Sequence, residues 1–229
     1  MTMIVFCNQK GGVGKSTLAT HAAVWLFDQG LRVGLLDADM QRSSSQWMAE
    51  AEPGITIRTA HTPDDCLSVA QELMAVHDIV VGDGPGGLDE ISRTLLLLAD
   101  LAVFPISPSI LDLRSVSLAT NVLRYAQGIN RGRPDGRLVL NKIRSRDTIS
   151  RELREAAPNL GVGVTDASIR DLQAFRDAAQ QGTVVSRMKR KGTEAGKDID
   201  DLCRELFSAY VNAAKDQLQT EGLKEVVHG

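Results

Sequence analysis

Short apolar runs alternate along the chain with longer segments in which apolar residues recur at helical spacing. The runs are rich in aliphatic side chains and predict buried β-strands at residues 3–7, 31–37, 78–83, 101–106 and 137–142. The longer segments predict helices at residues 16–29, 63–76, 111–126 and 198–218. Strands that are apolar along their whole length are typical of sheets covered on both faces. The pattern therefore predicts an α/β fold with a mostly parallel, twisted sheet and helices on both faces.

The chain offers enough apolar material for one large core. It has 229 residues, of which 43% are hydrophobic, and no Pro/Ser-rich linker, low-complexity tract or repeat divides it. We therefore expect a single domain over residues 1–229. Cys7, Cys66 and Cys203 lack the number and spacing of a disulfide framework or a zinc site, which favours a cytoplasmic protein. The most apolar stretch, near residues 95–98, is far shorter than the roughly 20 residues of a membrane span, and we expect no signal peptide.

Acidic and basic residues are unevenly distributed. Residues 28–100 contain 13 acidic and 4 basic residues, whereas residues 124–191 contain 15 basic and 7 acidic residues. Either the solvated helix faces happen to differ in charge, or the folded protein has one acidic and one basic face.

The sequence NQKGGVGKST, residues 8–17, joins the first predicted strand to the first predicted helix. It contains three glycines, Gly11, Gly12 and Gly14. They let the backbone turn tightly and direct N–H groups toward an anion at the positive end of the helix. Lys15 is then placed against the β and γ phosphates, and the Ser16 hydroxyl against Mg²⁺. The strict pattern G-x-x-x-x-G-K-[ST] fails, because Gln9 takes the place of its first glycine.

Polar side chains follow three other predicted strands. Asp37 and Asp39 alternate at the end of the second strand, so one carboxylate can hold a magnesium-bound water while the other orients the attacking water. Asp83 ends the third strand, where an acid can reach magnesium through water, and the glycines after it suit a loop that responds to the γ-phosphate. Asn141 ends the fifth strand; its amide suits an adenine edge, although asparagine is also common in turns.

Residues 10–16 match the signature K-G-G-x-G-K-[ST], and the chain resembles the deviant Walker A ATPases, in particular the ParA-type partition ATPases. The resemblance implies a weak ATPase with ATP and Mg²⁺ as cofactors, which forms a homodimer with ATP between the subunits. It assigns ATP binding to Lys10, Gly11, Gly12, Val13, Gly14, Lys15, Ser16, Thr17 and Asn141.

The resemblance also implies catalytic and metal-binding roles. Lys10, Lys15 and Asp39 are the catalytic residues it implies; Lys10 reaches the partner subunit's ATP, and Asp39 positions the water. It implies that Ser16 binds the metal directly, and that Asp37 and Asp83 do so through water. The family usually reads D-x-D-P-Q, whereas this chain has Met40 in the proline position, which predicts a less rigid loop.

ParA-type ATPases bind nonspecific DNA through basic residues of their C-terminal part. The corresponding candidates in this chain are Arg170, Arg187, Lys189, Arg190 and Lys191. The cluster SRMKRKG, residues 186–192, is predicted to lie between two helical segments, and a solvated charge run is the alternative interpretation. The chain resembles the short members of the family, without an N-terminal helix-turn-helix domain. The resemblance further implies association with the nucleoid and a ParB-like or cargo-bound adaptor that stimulates hydrolysis.

Four functional hypotheses follow. The first is a partitioning ATPase that dimerises with ATP, coats DNA and is released on hydrolysis, with a plasmid, a chromosome or a protein cluster as its cargo. A relative of the nitrogenase iron protein would need paired cysteine ligands, which the sequence lacks. A MinD-like positioning ATPase would need a basic amphipathic C-terminal helix, whereas the tail QTEGLKEVVHG is acidic to neutral, so no membrane binding is expected. An accessory ATPase of conjugative DNA transfer shares every motif.

Overall fold

A computed structural model describes residues 1–87, 90–107, 110–144, 151, 154–155 and 162–228, with the backbone alone for 110–117 and 221–228. The strands are β1 (Thr2–Asn8), β2 (Val33–Asp37), β3 (Thr56–Thr59), β4 (Ile79–Gly86), β5 (Leu101–Ile106), β6 (Asp135–Ile143), β7 (Gly163–Val164) and β8 (Ile169–Arg170). The helices are α1 (Lys15–Asp28), α2 (Ser43–Ala51), α3 (Pro63–Val76), α4 (Glu90–Leu98), α5 (Ile110–Ile129), α6 (Gln173–Gln180) and α7 (Lys189–His228). A 3₁₀ turn, Val185–Arg187, precedes α7.

The strands form one parallel sheet in the order β3-β2-β4-β1-β5-β6-β7, and β8 also pairs with β6. This arrangement confirms the predicted α/β fold. Because the strands are parallel, their carboxyl ends lie at one edge of the sheet, where ligands bind in such folds. The register places Asp37 of β2 directly beside Asp83 of β4. The glycine-rich loop, defined as residues 9–14, follows β1 at the same edge.

Two apolar layers cover the sheet. On one face, alternate strand residues such as Ile4, Phe6 and Val81 pack with apolar side chains of α1 and α7. On the other face, residues such as Val5 and Val80 pack with apolar side chains of α3, α4 and α5. This two-sided burial explains why the strands are apolar along their length. No helix within the described ranges is both long and apolar enough to cross a bilayer.

The predicted strands and helices are confirmed, with ends that differ by at most three residues, except that the helix predicted at 198–218 extends over Lys189–His228. The pattern did not predict β3, which has only four residues, the two-residue strands β7 and β8, or the helices α2, α4 and α6. The prediction that residues 186–192 lie between helices is wrong for the second half of the cluster, because α7 begins at Lys189. Glycine normally weakens a helix interior, but a side chain at Gly192 would collide with the Val185 carbonyl. Gly192 therefore permits close packing between α7 and the 3₁₀ turn.

Ion pairs connect the acidic and the basic stretches of the chain. Arg187 lies 2.7 Å from Asp28 and 3.0 Å from Glu52, and Arg133 lies 2.7 Å from Asp100. The uneven distribution of charge along the sequence is therefore partly neutralised in the fold and does not separate wholly into two faces.

Candidate nucleotide site

The glycine-rich loop presents an anion cradle at the end of the central strand. Gly12 and Gly14 have φ angles of 74° and 95°, the left-handed region that glycine adopts without strain. The first turn of α1 has no acidic residue and no side-chain cap within the described structure, so its N–H groups and positive dipole remain available for an anion. Lys15 follows the last glycine and is 6% exposed. This is the arrangement predicted for binding phosphates.

A cleft of about 1020 Å³ opens beside the cradle, comparable to the upper size of cofactor pockets. Its lining includes the predicted residues Gly11, Gly12, Gly14, Lys15, Ser16, Thr17 and Asp39. Residues that the sequence did not suggest also line it, among them Gln46, Trp47, Glu50, Pro85, Ile91 and Lys142. The cleft thus combines the phosphate cradle with an apolar and polar wall suited to the rest of a nucleotide.

Asp83 is a fully buried carboxylate beside the cradle. Neither of its oxygens has a hydrogen-bond partner among the described residues. Burial raises the pKa of Asp83 to about 7, and Asp37 acts in the same direction, whereas the nearby Ser16 and Ser44 hydroxyls and the Lys15 ammonium lower it. An unpartnered buried carboxylate is costly unless a cation or a proton compensates it.

This orphaned carboxylate fits a magnesium site. The described residues contain no group of three or more His, Cys, Asp or Glu side chains that could hold a metal ion by themselves. Magnesium in nucleotide sites is held by one or two carboxylates together with waters and phosphates, so such a group is not needed. Asp83, with Ser16 close by, supplies that kind of incomplete ligand set.

Asp37 and Asp39 organise the loop after β2. The oxygens of Asp37 accept hydrogen bonds from the backbone N–H groups of Asp39, at 3.0 Å, and Ser45, at 2.8 Å, so Asp37 caps the start of α2. Asp39 is half-buried in the cleft wall, and its Oδ1 accepts from the N–H of Gln41 at 2.9 Å. Their predicted roles in holding magnesium and positioning water stay predictions.

Asn8 anchors the start of the glycine-rich loop, a role that the sequence did not reveal. Its Nδ2 donates to the Pro105 carbonyl at 2.6 Å, and its Oδ1 accepts from the N–H of Lys10 at 3.2 Å. The Lys10 side chain is half-buried, and Lys10 is not among the described residues that line the cleft. Its predicted contact with a partner subunit's ATP stays a prediction.

Asn141 and Lys142 at the end of β6 both contact the glycine-rich loop. The Asn141 amide donates to the Val13 carbonyl and the Lys142 ammonium to the Gly12 carbonyl. The predicted contact of Asn141 with adenine stays a prediction, and Lys142 was not among the predicted site residues. The only sequence signal for Lys142 is its position directly after Asn141.

His21 connects the phosphate-binding helix to the C-terminal part. Its Nδ1–H donates to the Thr17 carbonyl at 2.8 Å, and its Nε2 accepts from the N–H of Val185 at 3.1 Å. These bonds require the neutral ring, and burial lowers the pKa of His21 to about 4. The Trp47 ring meets it edge-on at 5.4 Å. His21 therefore joins the cleft wall and the 3₁₀ turn that leads to α7.

We expect His21 to make stability depend on pH. Between pH 6.5 and about 4 the His21 ring is protonated in the unfolded chain and neutral in the folded protein. Its contribution to the free energy of unfolding is therefore fully present above pH 6.5 and is lost as the pH falls. The expected size is on the order of 3 kcal/mol. The raised pKa of Asp83 acts in the opposite direction, so the wild-type curve alone is not diagnostic.

The test compares unfolding of the wild type and His21→Gln by denaturant from pH 4 to pH 7. The difference in free energy of unfolding between the two proteins should grow as the pH rises from about 4 to 6.5. A constant difference for His21→Gln would show that the ring is not held neutral.

The candidate DNA-binding residues fall into two groups. Arg170 lies 2.9 Å from Asp198 and 3.2 Å from Glu194, and Arg187 pairs with Asp28 and Glu52. The charges of both arginines are thus largely neutralised within the chain. Lys189, Arg190 and Lys191 are exposed in the first turn of α7. The structure does not bring the five residues into one unpaired cluster.

A parallel sheet whose central strand leads through a glycine-rich cradle into an uncapped helix defines a P-loop nucleotide-binding protein. The family model of the CobQ/CobB/MinD/ParA nucleotide binding domain matches residues 4–185, and the chain belongs to this family. It is an ATPase of the ParA/MinD type, as the resemblance at residues 10–16 implied.

Similar proteins cover nearly the whole chain. Maintenance of carboxysome distribution protein A from Halothiobacillus neapolitanus is 30% identical over 211 residues, which cover 89% of this chain and 95% of the relative. The MinD cell division protein of Aquifex aeolicus superposes with a TM-score of 0.73 at 18% identity, over 91% of this chain and 97% of that one. McdA from Cyanothece, solved as an ATP complex, gives a TM-score of 0.70 at 18% identity, over 91% and 96%. The two structures support the fold.

Proposed function

We propose that this chain is a positioning ATPase that binds nonspecific DNA as an ATP-bound homodimer and is released when an adaptor protein stimulates hydrolysis. The observation that carries the proposal is the two-lysine loop, KGGVGKS, in a chain aligned over 89% of its length with a protein that maintains carboxysome distribution. That relative favours a large protein assembly as the cargo over a plasmid or a chromosome. An accessory ATPase of DNA transfer and a MinD-like positioning ATPase are the alternatives.

Different residues of the cleft bind the phosphates, bind magnesium and activate the attacking water. The N–H groups of the glycine-rich loop and the Lys15 ammonium hold the β and γ phosphates. Ser16 and Asp83, with Asp37 beside it, hold magnesium, which when bound neutralises charge on those phosphates. Asp39, in the cleft wall, orients the attacking water and accepts its proton. Slow intrinsic turnover is expected until the adaptor acts.

A dimer that closes over the cleft explains two features of its rim. Met40 is a large apolar side chain that lines the cleft and is 82% exposed. Lys10 lies outside the cleft of its own subunit, at the start of the loop. In the dimer, Met40 is covered by the partner and the Lys10 ammonium meets the partner's ATP, in the manner of an arginine finger.

The start of α7 is the DNA contact that the proposal favours. Lys189, Arg190 and Lys191 are consecutive and exposed, and charges of this density bind phosphate backbones without reading bases. The 3₁₀ turn before them bonds to His21 of α1 through the N–H of Val185, so the basic turn is physically connected to the phosphate-binding helix. Arg187 stabilises this connection through Asp28 and Glu52 rather than contacting DNA.

We expect the combined substitutions Lys189→Gln, Arg190→Gln and Lys191→Gln to weaken ATP-dependent binding to nonspecific DNA by at least about tenfold at low salt. The slope of log affinity against log salt should fall by about 5, because the dimer loses six phosphate contacts and each contact contributes nearly one unit. Fluorescence anisotropy with a random-sequence duplex at several salt concentrations measures both quantities. ATP affinity should not change.

A matched control is Arg131→Gln, Lys197→Gln and Lys215→Gln, which removes the same charge at other exposed positions. If both triple variants lose the same affinity, the net charge of the chain and not the start of α7 governs DNA binding. Binding of the wild type to anionic vesicles instead of DNA would favour the MinD-like alternative.

A further inference from the structure

Two neighbouring side chains at the end of β6 hold the glycine-rich loop by its carbonyl groups. The Nδ2 of Asn141 donates to the Val13 carbonyl oxygen at 2.7 Å, and the Nζ of Lys142 donates to the Gly12 carbonyl oxygen at 2.6 Å. Two consecutive peptide groups of the loop are thus tied to one strand. Asn141 is 3% exposed, so its bond is shielded from water.

The backbone of β6 is irregular where it makes these contacts. Consecutive side chains of a regular strand point to opposite faces, so Asn141 and Lys142 would not both reach one loop. Here the pairing of β6 with β8 shifts register between Asn141 and Ile143, and Lys142 has a φ of 60°, which is uncommon for a residue with a side chain. An irregularity of this kind redirects a side chain.

The orientation of the Asn141 amide is fixed by a second bond. The N–H of Lys142 donates to Oδ1 of Asn141 at 3.0 Å, which leaves the NH₂ group facing Val13. A side chain at position 14 would collide with this NH₂ group, so Gly14 is required for the contact as well as for its own φ of 95°. The loop and the end of β6 are therefore fitted to each other.

The consequence concerns the phosphate cradle. In a planar trans peptide the carbonyl and the following N–H point in opposite directions. Since the carbonyls of Gly12 and Val13 face β6, the N–H groups of Val13 and Gly14 point away from it. We propose that Asn141 and Lys142 are positioning residues, which orient these two N–H groups toward the phosphates of the bound nucleotide before it arrives.

This inference rests on nucleotide binding in the cleft, which the proposed function shares, but not on the dimer or on DNA. Positioning through the loop also differs from direct recognition of the nucleoside, the other role open to Lys142 in the cleft wall. A ligand that carries phosphates and lacks a base separates the two roles, because the loss of a contact with the nucleoside does not change its binding.

The experiment measures the affinity of Lys142→Met for ATP, GTP and inorganic tripolyphosphate, each with Mg²⁺, by calorimetry on the full chain. Methionine keeps the aliphatic stem and removes the ammonium. We expect the dissociation constants of all three ligands to rise by about tenfold, as they would if the binding-competent loop conformation became about a tenth as populated, with the ATP to GTP ratio unchanged. Lys142→Arg, which retains a donor, should restore most of the affinity. Lys215→Met, at an exposed lysine of α7, is the matched control and should change nothing.

The outcomes are distinct. A loss for ATP with unchanged tripolyphosphate affinity, or a changed ATP to GTP ratio, would show that Lys142 contacts the nucleoside and would overturn the inference. Unchanged affinity for all three ligands would overturn it as well. A wild-type chain that bound neither ATP nor tripolyphosphate would instead refute the nucleotide site on which the proposed function depends. The melting temperature without nucleotide, measured for each variant, should stay near that of the wild type.

Discussion

Replacing Lys15 with alanine is expected to abolish ATP binding, whereas replacing Lys10 with alanine should leave it nearly intact. Lys15 is buried at the start of α1 beside the cradle, where we expect its ammonium to make charge-assisted bonds to phosphate. Loss of about 3 kcal/mol of such interaction raises the dissociation constant by at least about a hundredfold. Lys10 begins the loop outside the cleft of its own subunit, so its loss should change the affinity of the monomer by less than about threefold.

The Lys10→Ala variant should instead lose the ATP-dependent dimer and the turnover that an adaptor stimulates. Calorimetry gives the affinity, and light scattering with ATP gives the mass of both variants and the wild type. An equal loss of ATP affinity in Lys10→Ala and Lys15→Ala would mean that Lys10 acts within its own subunit. A stable ATP-bound dimer of Lys10→Ala would contradict the proposal that Lys10 contacts the partner's ATP.

Substitution of Asp39 by alanine is expected to stop hydrolysis and preserve ATP binding. Asp39 is half-buried in the cleft wall, and a general base that orients water contributes about 10²- to 10⁴-fold to the rate. The turnover number should therefore fall by that factor while the dissociation constant of ATP stays within about threefold. The variant should accumulate in the ATP-bound, dimeric state.

Glu50→Ala is the matched control for Asp39, because it removes the same charge from the wall of the same cleft. Phosphate release under single-turnover conditions separates hydrolysis from product release for both variants. If the two variants slow hydrolysis equally, the negative charge of the cleft matters and Asp39 has no special position. A faster Asp39→Ala enzyme would refute the role of this carboxylate.

The five longest strands, the parallel sheet and the phosphate cradle were predictable because each has a local signal. Buried strands such as Leu101–Ile106 are continuous apolar runs, and the cradle is a stretch rich in glycine and lysine. The position of Asp83 near the cradle was predictable because it lies at the end of a strand, and the carboxyl ends of all strands in a parallel sheet lie at the same edge. That both of its oxygens lack partners is known only from the packing around it.

Contacts between distant segments were not predictable. His21 meets Val185 across 164 positions of sequence, and Lys142 meets Gly12 across 130. The pattern of apolar and polar residues does not indicate contacts between residues so far apart. The left-handed φ of Lys142 also has no sequence signal of the kind that a glycine provides. Arg170 and Arg187 were predicted to bind DNA because their positive charge is evident from the sequence. The carboxylates that neutralise them are distant along the chain, so these ion pairs could not be predicted.

The most direct test of the account is the affinity of the wild-type chain for a random-sequence DNA duplex with ATP, with ADP and without nucleotide, at the same low salt concentration. Lys10→Ala with ATP serves as the control that binds nucleotide without forming the dimer. We predict tight binding for the wild type with ATP alone and at least about tenfold weaker binding in the other three samples, since a dimer doubles the phosphate contacts. The same affinity in all four samples would contradict the proposal that ATP and the dimer control DNA binding.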